Sequence, residues 1–198
     1  MKNSAVALAS ILALAVTGCA GGTAPEPTAA PTATASSSAD GDLLARNGLD
    51  GLSVEEIIAR LDADTADRTN GPIGSVRPDQ LLLTDATGQE LSMPITSGKF
   101  YLAMAPYVTK THQCFNHNLA TCQGELVNET IHATFVDDAG RTVFDEDLTT
   151  MANGFASTWV DRDLTGTLTI THEGKSVSVP VSTGADAPTC LSESLQLV

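Results

Sequence analysis

The chain has 4 histidines and 4 cysteines, and half of them fall within the eleven residues from His112 to Cys122, in Thr111-His112-Gln113-Cys114-Phe115-Asn116-His117-Asn118-Leu119-Ala120-Thr121-Cys122. Thiolate sulfur is a soft donor that suits Cu(I), and it suits Zn(II) as well when a nitrogen completes a fourth position. A further cysteine, Cys190, lies far along the chain in Ala187-Pro188-Thr189-Cys190-Leu191, so only the fold can bring it to this loop. Cys114 and Cys122 are spaced C-x₇-C. That is wider than the pairs of zinc ribbons and wider than the C-x-x-C of thioredoxin-like sites. His112 and Cys114 share a face if their segment is extended, and Asn116 and Asn118 favour a turn that folds Cys122 back toward them. The candidate metal ligands are therefore Cys114, Cys122 and Cys190, with His112 or His117 as a nitrogen donor. The competing arrangement is a loop-closing Cys114–Cys122 disulfide with Cys190 as a small buried apolar residue, and spacing does not choose between the two. His132 and His172 fall in alternating segments and read as surface or satisfied residues; Met93, Met104 and Met151 are scattered and read as packing residues.

With 10 Lys+Arg against 24 Asp+Glu, the formal charge is −14. No basic stripe is present to release counterions from phosphates, which argues against nucleic acid or an anionic lipid surface as partner. A cation is the natural partner, and an acidic surface raises its local concentration in a salt-sensitive way. Near the start, Lys2 precedes an apolar run from Ala5 to Val16, long enough for a signal sequence but short of the ~20 residues that span a bilayer. It ends in Leu14-Ala15-Val16-Thr17-Gly18-Cys19, which resembles a bacterial lipobox. Residues 1–18 are thus expected to be a lipoprotein signal peptide, and Cys19 the lipidated new N-terminus, holding the protein to the outer side of the bacterial cytoplasmic membrane. Residues 19–42, rich in Pro, Ala, Thr and Ser, are expected to form a tether. Once Cys19 is lipidated an odd number of cysteines remains, so at least one thiol lies outside any internal disulfide.

The elements that must position these residues can also be read. Ser53-Val54-Glu55-Glu56 is a capping box, and Val54, Ile57, Ile58 and Leu61 follow at helical spacing, with Leu52 placed to staple onto Ile57. Asn70-Gly71-Pro72 breaks the pattern. Leu81 to Thr84 and Glu90 to Ile95 then flank a turn at Asp85-Ala86-Thr87-Gly88, which predicts a hairpin. Asp62, Asp64 and Asp67 read as solvated surface. From Lys99 onward the rhythm is that of strands: Phe100 to Val108, Ile131 to Phe135, Arg141 to Phe144, Phe155 to Val160, Leu164 to Ile170 and Val177 to Val181. Pro180 assigns the last of these to a sheet edge. The expected fold is α+β, with a small helix-plus-hairpin domain over 43–98 and a mainly antiparallel, sandwich-like β domain over 99–198.

The stretch from Pro106 to Leu126 and the ending Asp186-Ala187-Pro188-Thr189-Cys190-Leu191 together resemble the CueP-type exported copper-binding proteins, with similarity from about Leu44 to Leu197. The resemblance implies a copper-resistance protein of the cell envelope that sequesters Cu(I) through Cys114, Cys122 and Cys190. It also implies Cu(II) reduction, supply of copper to exported Cu,Zn superoxide dismutase, and a homodimer made through the N-terminal domain. The lipobox and tether depart from a freely diffusing carrier and fit a fixed sink. Two neighbouring thiols could reduce Cu(II), leaving a Cys114–Cys122 disulfide that a thiol reductant system must reset. That chemistry would be stoichiometric, and hydrolase, P-loop and dinucleotide-binding motifs are absent from the sequence. The alternative reading is a lipid-anchored β-sandwich interaction module whose cysteines are structural only.

Overall fold

Two helices and a hairpin open the part of the chain that the computed structural model describes, residues 34–64 and 71–198. The signal segment 1–18, Cys19, the tether up to residue 33, and Asp67 lie outside the described residues. α1 (Thr34–Arg46) starts ahead of residue 42, where the sequence reading ends the tether. The last proline of that segment is Pro31, and a proline-free stretch can continue a helix whose far end is held by tertiary packing. Leu43 and Leu49, both in the core, supply that hold. α2 (Val54–Ala63) carries the expected capping box: Ser53 Oγ accepts the Glu56 N–H at 3.3 Å, and the Glu56 carboxylate accepts the Ser53 N–H at 2.8 Å. Its Val54, Ile57, Ile58 and Leu61 face inward.

β1 (Ile73–Val76), β2 (Gln80–Thr84) and β3 (Glu90–Pro94) follow, with β2 and β3 forming the expected hairpin in the register Leu81↔Met93 to Thr84↔Glu90. The turn is closed by Asp85, whose carboxylate accepts the N–H groups of Thr87 at 2.8 Å and Gln89 at 3.1 Å and the Arg46 guanidinium at 2.8 Å. The Thr87 hydroxyl and Arg46 hold this carboxyl well below the usual range. One side chain thus fixes the turn and ties α1 to it.

The remaining strands are β4 (Lys99–Met104), β5 (His117–Asn118), β6 (Thr130–Asp137), β7 (Thr142–Thr149), β8 (Ala156–Asp161), β9 (Thr165–His172), β10 (Lys175–Ser182) and β11 (Cys190–Leu191). They assemble with β1–β3 into three sheets of order β3-β2-β1-β5, β10-β9-β6-β7 and β11-β4-β8. The helix-plus-hairpin region followed by mainly antiparallel β-structure is the α+β arrangement expected, and β10, which holds Pro180, is an edge strand. Among the described residues no helix is long and apolar enough to cross a membrane.

β4 explains its own composition. Tyr101, Ala103 and Ala105 point into a first core with the helices, Leu81 and Leu83, whereas Phe100, Leu102 and Met104 point into a second core with Ile131, Phe135, Leu168 and Ile170. A strand buried on both faces reads as a continuous apolar run. β11 pairs with β4 in parallel, Cys190 opposite Ala103 and Leu191 opposite Met104. The period of two then sends Cys190 into the first core and Leu191 into the second.

The loop after Cys122 is held against the segment leading into β8 by a close backbone approach. Gly124 N–H donates to Asn153 O at 2.7 Å, and a Cβ on Gly124 or on Gly154 would run into the other residue's backbone. Gly154 also has φ +78°, where a side chain is strained. Gly124→Ala is therefore expected to destabilise the protein by about 1–3 kcal/mol through overpacking, read from denaturant unfolding, while Gly98→Ala, with open space around it but φ +71°, should cost only the milder backbone strain.

Candidate metal centre

Three chain segments converge on the first core. The loop after β4 is pinned to the C-terminal segment by Cys190 N–H donating to Phe115 O at 3.1 Å and by Ser192 Oγ donating to His112 O at 2.8 Å. Thr189 binds on both sides: its hydroxyl accepts the His117 N–H at 2.9 Å and donates to Val76 O at 2.6 Å. Asn118 makes the turn read from the sequence, its side-chain oxygen accepting the N–H groups of Ala120 and Thr121 at 3.0 Å each, and its carbonyl accepting the Cys122 N–H at 3.1 Å. Glu125 closes the loop from its other end by accepting the N–H groups of Val108 at 2.6 Å and Thr109 at 2.9 Å. The Thr109 hydroxyl and these backbone donors lower its pKa to about 2.

This scaffold brings His112, Cys114, Cys122 and Cys190 together with one ligand atom from each, all within 4.8 Å of one another. Cys114 and Cys190 are joined as a disulfide with their Cα atoms 5.6 Å apart, and Cys122 is a free, buried thiol whose Sγ is 3.1 Å from Cys114 Sγ. The bridged pair is thus Cys114–Cys190, not the Cys114–Cys122 pair that sequence proximity suggests. Pairing β11 with β4 puts Cys190 beside the loop, and neighbours in space outrank neighbours in sequence. His112 presents a buried Nε2 that has no hydrogen-bond partner.

His117 lies outside that four-residue group. Its ring is fully buried, packed at a tilt against Phe155 with centroids 4.5 Å apart, and its Nε2 is 2.8 Å from Asp62 Oδ1. Burial alone would push its pKa down; the hydrogen bond to Asp62, with Cys122 nearby, outweighs this and raises it to about 9. Asp62 is the residue that sequence reasoning misplaced. It is 1% exposed rather than solvated, and besides His117 it accepts hydrogen bonds from Tyr101 Oη at 2.6 Å, Asn153 Nδ2 at 2.8 Å and Ser157 Oγ at 3.0 Å. Burial works to raise its pKa, but His117 and the two hydroxyls bring it below the ordinary value. A signal was present: Asp62 is four residues after Ile58 and eight after Val54, on the apolar face of the helix. Asp64 is exposed, as read.

The other histidines and the methionines behave as expected. His132 is exposed between Asp145 and Asp147, and His172 Nδ1 donates to Thr130 O at 3.0 Å. Met104 is a core residue, and Met93 and Met151 pack against the first core. Two grooves flank the centre. One of about 230 Å³ is lined by Cys114, Phe115, Pro188, Cys190 and Glu193, and another of about 240 Å³ by Lys110, His112, Gln123 and Glu125.

Comparison with known proteins agrees with this geometry. A family model described as "Periplasmic copper-binding protein CueP" matches residues 56–195. A solved structure described as "Crystal Structure of S.CueP" is 34% identical and superposes with a TM-score of 0.75, the alignment covering 84% of this chain and 99% of that one. No curated protein matches significantly.

The raised pKa of His117 has a consequence for stability. A histidine raised in the folded state contributes stability that is complete below its unfolded value of 6.5 and lost as pH rises through about 9. The unfolding midpoint of the metal-free protein, followed through Trp159, is expected to fall over that window, and His117→Gln to flatten the fall. Equal slopes for the two proteins would show that the pair does not couple to folding.

Proposed function

The chain belongs to the CueP family of periplasmic copper-binding proteins, and we propose that it captures Cu(I) with the thiolates of Cys114, Cys122 and Cys190 as a copper sink at the cell envelope. The observation that carries the reading is the convergence of three sulfurs with one unpartnered imidazole nitrogen in a largely buried pocket. Soft sulfur donors with a single nitrogen favour Cu(I) over harder cations. Copper is here the cargo, and the protein's part is to supply a donor set already gathered in a largely buried pocket.

The Cys114–Cys190 disulfide adds a step before capture. Two electrons and two protons from a thiol reductant convert it to two thiols, after which three thiols lose protons as Cu(I) binds, so affinity rises with pH through the thiol range. The groove along Cys114 and Cys190 gives such a reductant a way in. In reverse, two thiolates delivering one electron each to two Cu(II) ions yield two Cu(I) and one disulfide. The bond expected from that reaction is Cys114–Cys190. Lipidation at Cys19 would fix the sink to the membrane surface, and transfer to an exported Cu,Zn superoxide dismutase would require the acceptor to come to it.

The test is an anaerobic Cu(I) titration of the pre-reduced protein against a coloured Cu(I) chelator. The wild type is expected to withdraw one equivalent, and Cys114→Ser, Cys122→Ser and Cys190→Ser each to compete at least about tenfold less well. Variants that compete as the wild type does would mean that the cysteines are structural.

A further inference from the structure

The segment that carries Cys190 is held on two sides. On one it pairs with β4, through Ala103 N–H donating to Thr189 O at 3.0 Å and Ala105 N–H donating to Leu191 O at 2.9 Å. On the other lies the loop 112–117, running in the opposite direction. Ser192 Oγ donates to His112 O at 2.8 Å, Cys190 N–H donates to Phe115 O at 3.1 Å, and His117 N–H donates to Thr189 Oγ1 at 2.9 Å. Only the middle bond is of the backbone-to-backbone kind that builds a ladder. The outer two are made by side-chain hydroxyls, and in sequence they bracket Cys114 on the loop and Cys190 opposite it.

Both hydroxyls belong to the interior, Thr189 being completely buried and Ser192 2% exposed. A buried hydroxyl is costly unless it is bonded. Thr189 uses its oxygen in both senses, since it also donates to Val76 O at 2.6 Å and so ties β1 into the same seam. Valine and alanine would fill these two places without any such demand, so what the hydroxyls add is position. That matters most when the Cys114–Cys190 bond is open. The covalent link between loop and strand is then gone, and thiolates gathered within 4.8 Å of one another repel. The hydrogen bonds across the seam oppose that separation.

We propose that Thr189 and Ser192 are positioning residues of the metal centre: their hydroxyls clamp the loop 112–117 to the Cys190 segment, so that the sulfurs stay gathered after the disulfide is reduced. The inference rests on the copper reading above and deepens it. A donor set held in place before the ion arrives loses less freedom on binding. Outer groups that orient metal ligands commonly carry about 10–100-fold of the affinity. Ser192 acts on His112 through that residue's own carbonyl, and Thr189 acts on Cys190 as its immediate neighbour.

Two measurements on the full chain test the clamp, each below the melting temperature of the variant used. The first is the Cu(I) competition of the pre-reduced protein. Thr189→Val and Ser192→Ala are each expected to lose about tenfold in affinity, and Thr189→Ser, which keeps the hydroxyl, to recover most of the loss. The second needs no copper: in a Cys122→Ser background, one protein disulfide and two glutathione thiols equilibrate with the protein dithiol and one glutathione disulfide. Loosening the clamp lowers the effective concentration of one thiol at the other, so Thr189→Val is expected to move this equilibrium about tenfold toward the dithiol. Thr183→Val is the control. That buried hydroxyl makes the same two-sided bridge, from Leu164 N–H at 2.9 Å to Asp161 O at 2.8 Å, between segments that carry no cysteine. It is expected to lower stability and to leave both readouts at their wild-type values. Wild-type values in Thr189→Val and Ser192→Ala, or equal losses in Thr183→Val, would overturn the proposal. Should Thr189→Val fail to fold, Ser192→Ala decides alone by the same criteria. A wild type that withdraws no Cu(I) brings down the copper reading, and the glutathione equilibrium then decides the clamp by itself.

Discussion

The parallel pairing of β11 with β4 decides where Cys190 goes, and the metal centre depends on that placement. The pairing is short, Cys190 opposite Ala103 and Leu191 opposite Met104, but it is reinforced by Ala103 N–H donating to Thr189 O at 3.0 Å and Ala105 N–H donating to Leu191 O at 2.9 Å. A shift of one residue would flip the two side chains between the cores and remove one sulfur from the cluster. Leu195 and Leu197, buried in the second core, keep the chain end in register. The packing of an apolar tail thereby sets the position of a soft ligand.

A second constraint is the double burial of β4. Its even-numbered residues hold the β10-β9-β6-β7 sheet, and its odd-numbered ones hold the helices and the first hairpin. The described residues accordingly form one compact unit, and the candidate metal centre lies in the core that the helices share with β4, β8 and β11. Tyr101 links the two themes: it is on the helix-facing side of β4, packs at a tilt against Trp159 with ring centroids 4.8 Å apart, and donates its hydroxyl hydrogen to Asp62. Burial and the adjacent carboxylate push that hydroxyl's pKa far up, so it remains a donor.

Much of this was legible from residue types. The Ser53 capping box, the Asp85 turn, the strand rhythm after Lys99 and the edge position of Pro180 follow from local rules that act within a few residues, and each forms as read. The cysteine and histidine cluster stood out by density alone. What the sequence hid were long-range facts. The Cys114–Cys190 bond spans 76 residues and depends on strand pairing that no local pattern encodes. Asp62 was hidden for a different reason: an acid on a helix is usually solvated, and only its place on the apolar face opposed that reading. His112 and His117 could not be told apart in sequence; one brings a nitrogen into the sulfur cluster, and the other is held beside it by Asp62.

The resulting picture is a family member in which a mixed α+β scaffold, folded around one two-faced strand, brings three sulfurs and a nitrogen within 4.8 Å of one another. The chain carries a formal charge of −14, and two of the three sulfurs, those of Cys122 and Cys190, are buried. In the proposed reading, cations are gathered by charge and sorted by softness. X-ray absorption at the copper edge of the reduced, Cu(I)-loaded protein tests this most directly. The account predicts a first shell of three sulfurs with at most one nitrogen, falling to two sulfurs in Cys190→Ser. A shell dominated by nitrogen and oxygen, or a sulfur count unchanged by Cys190→Ser, would contradict it.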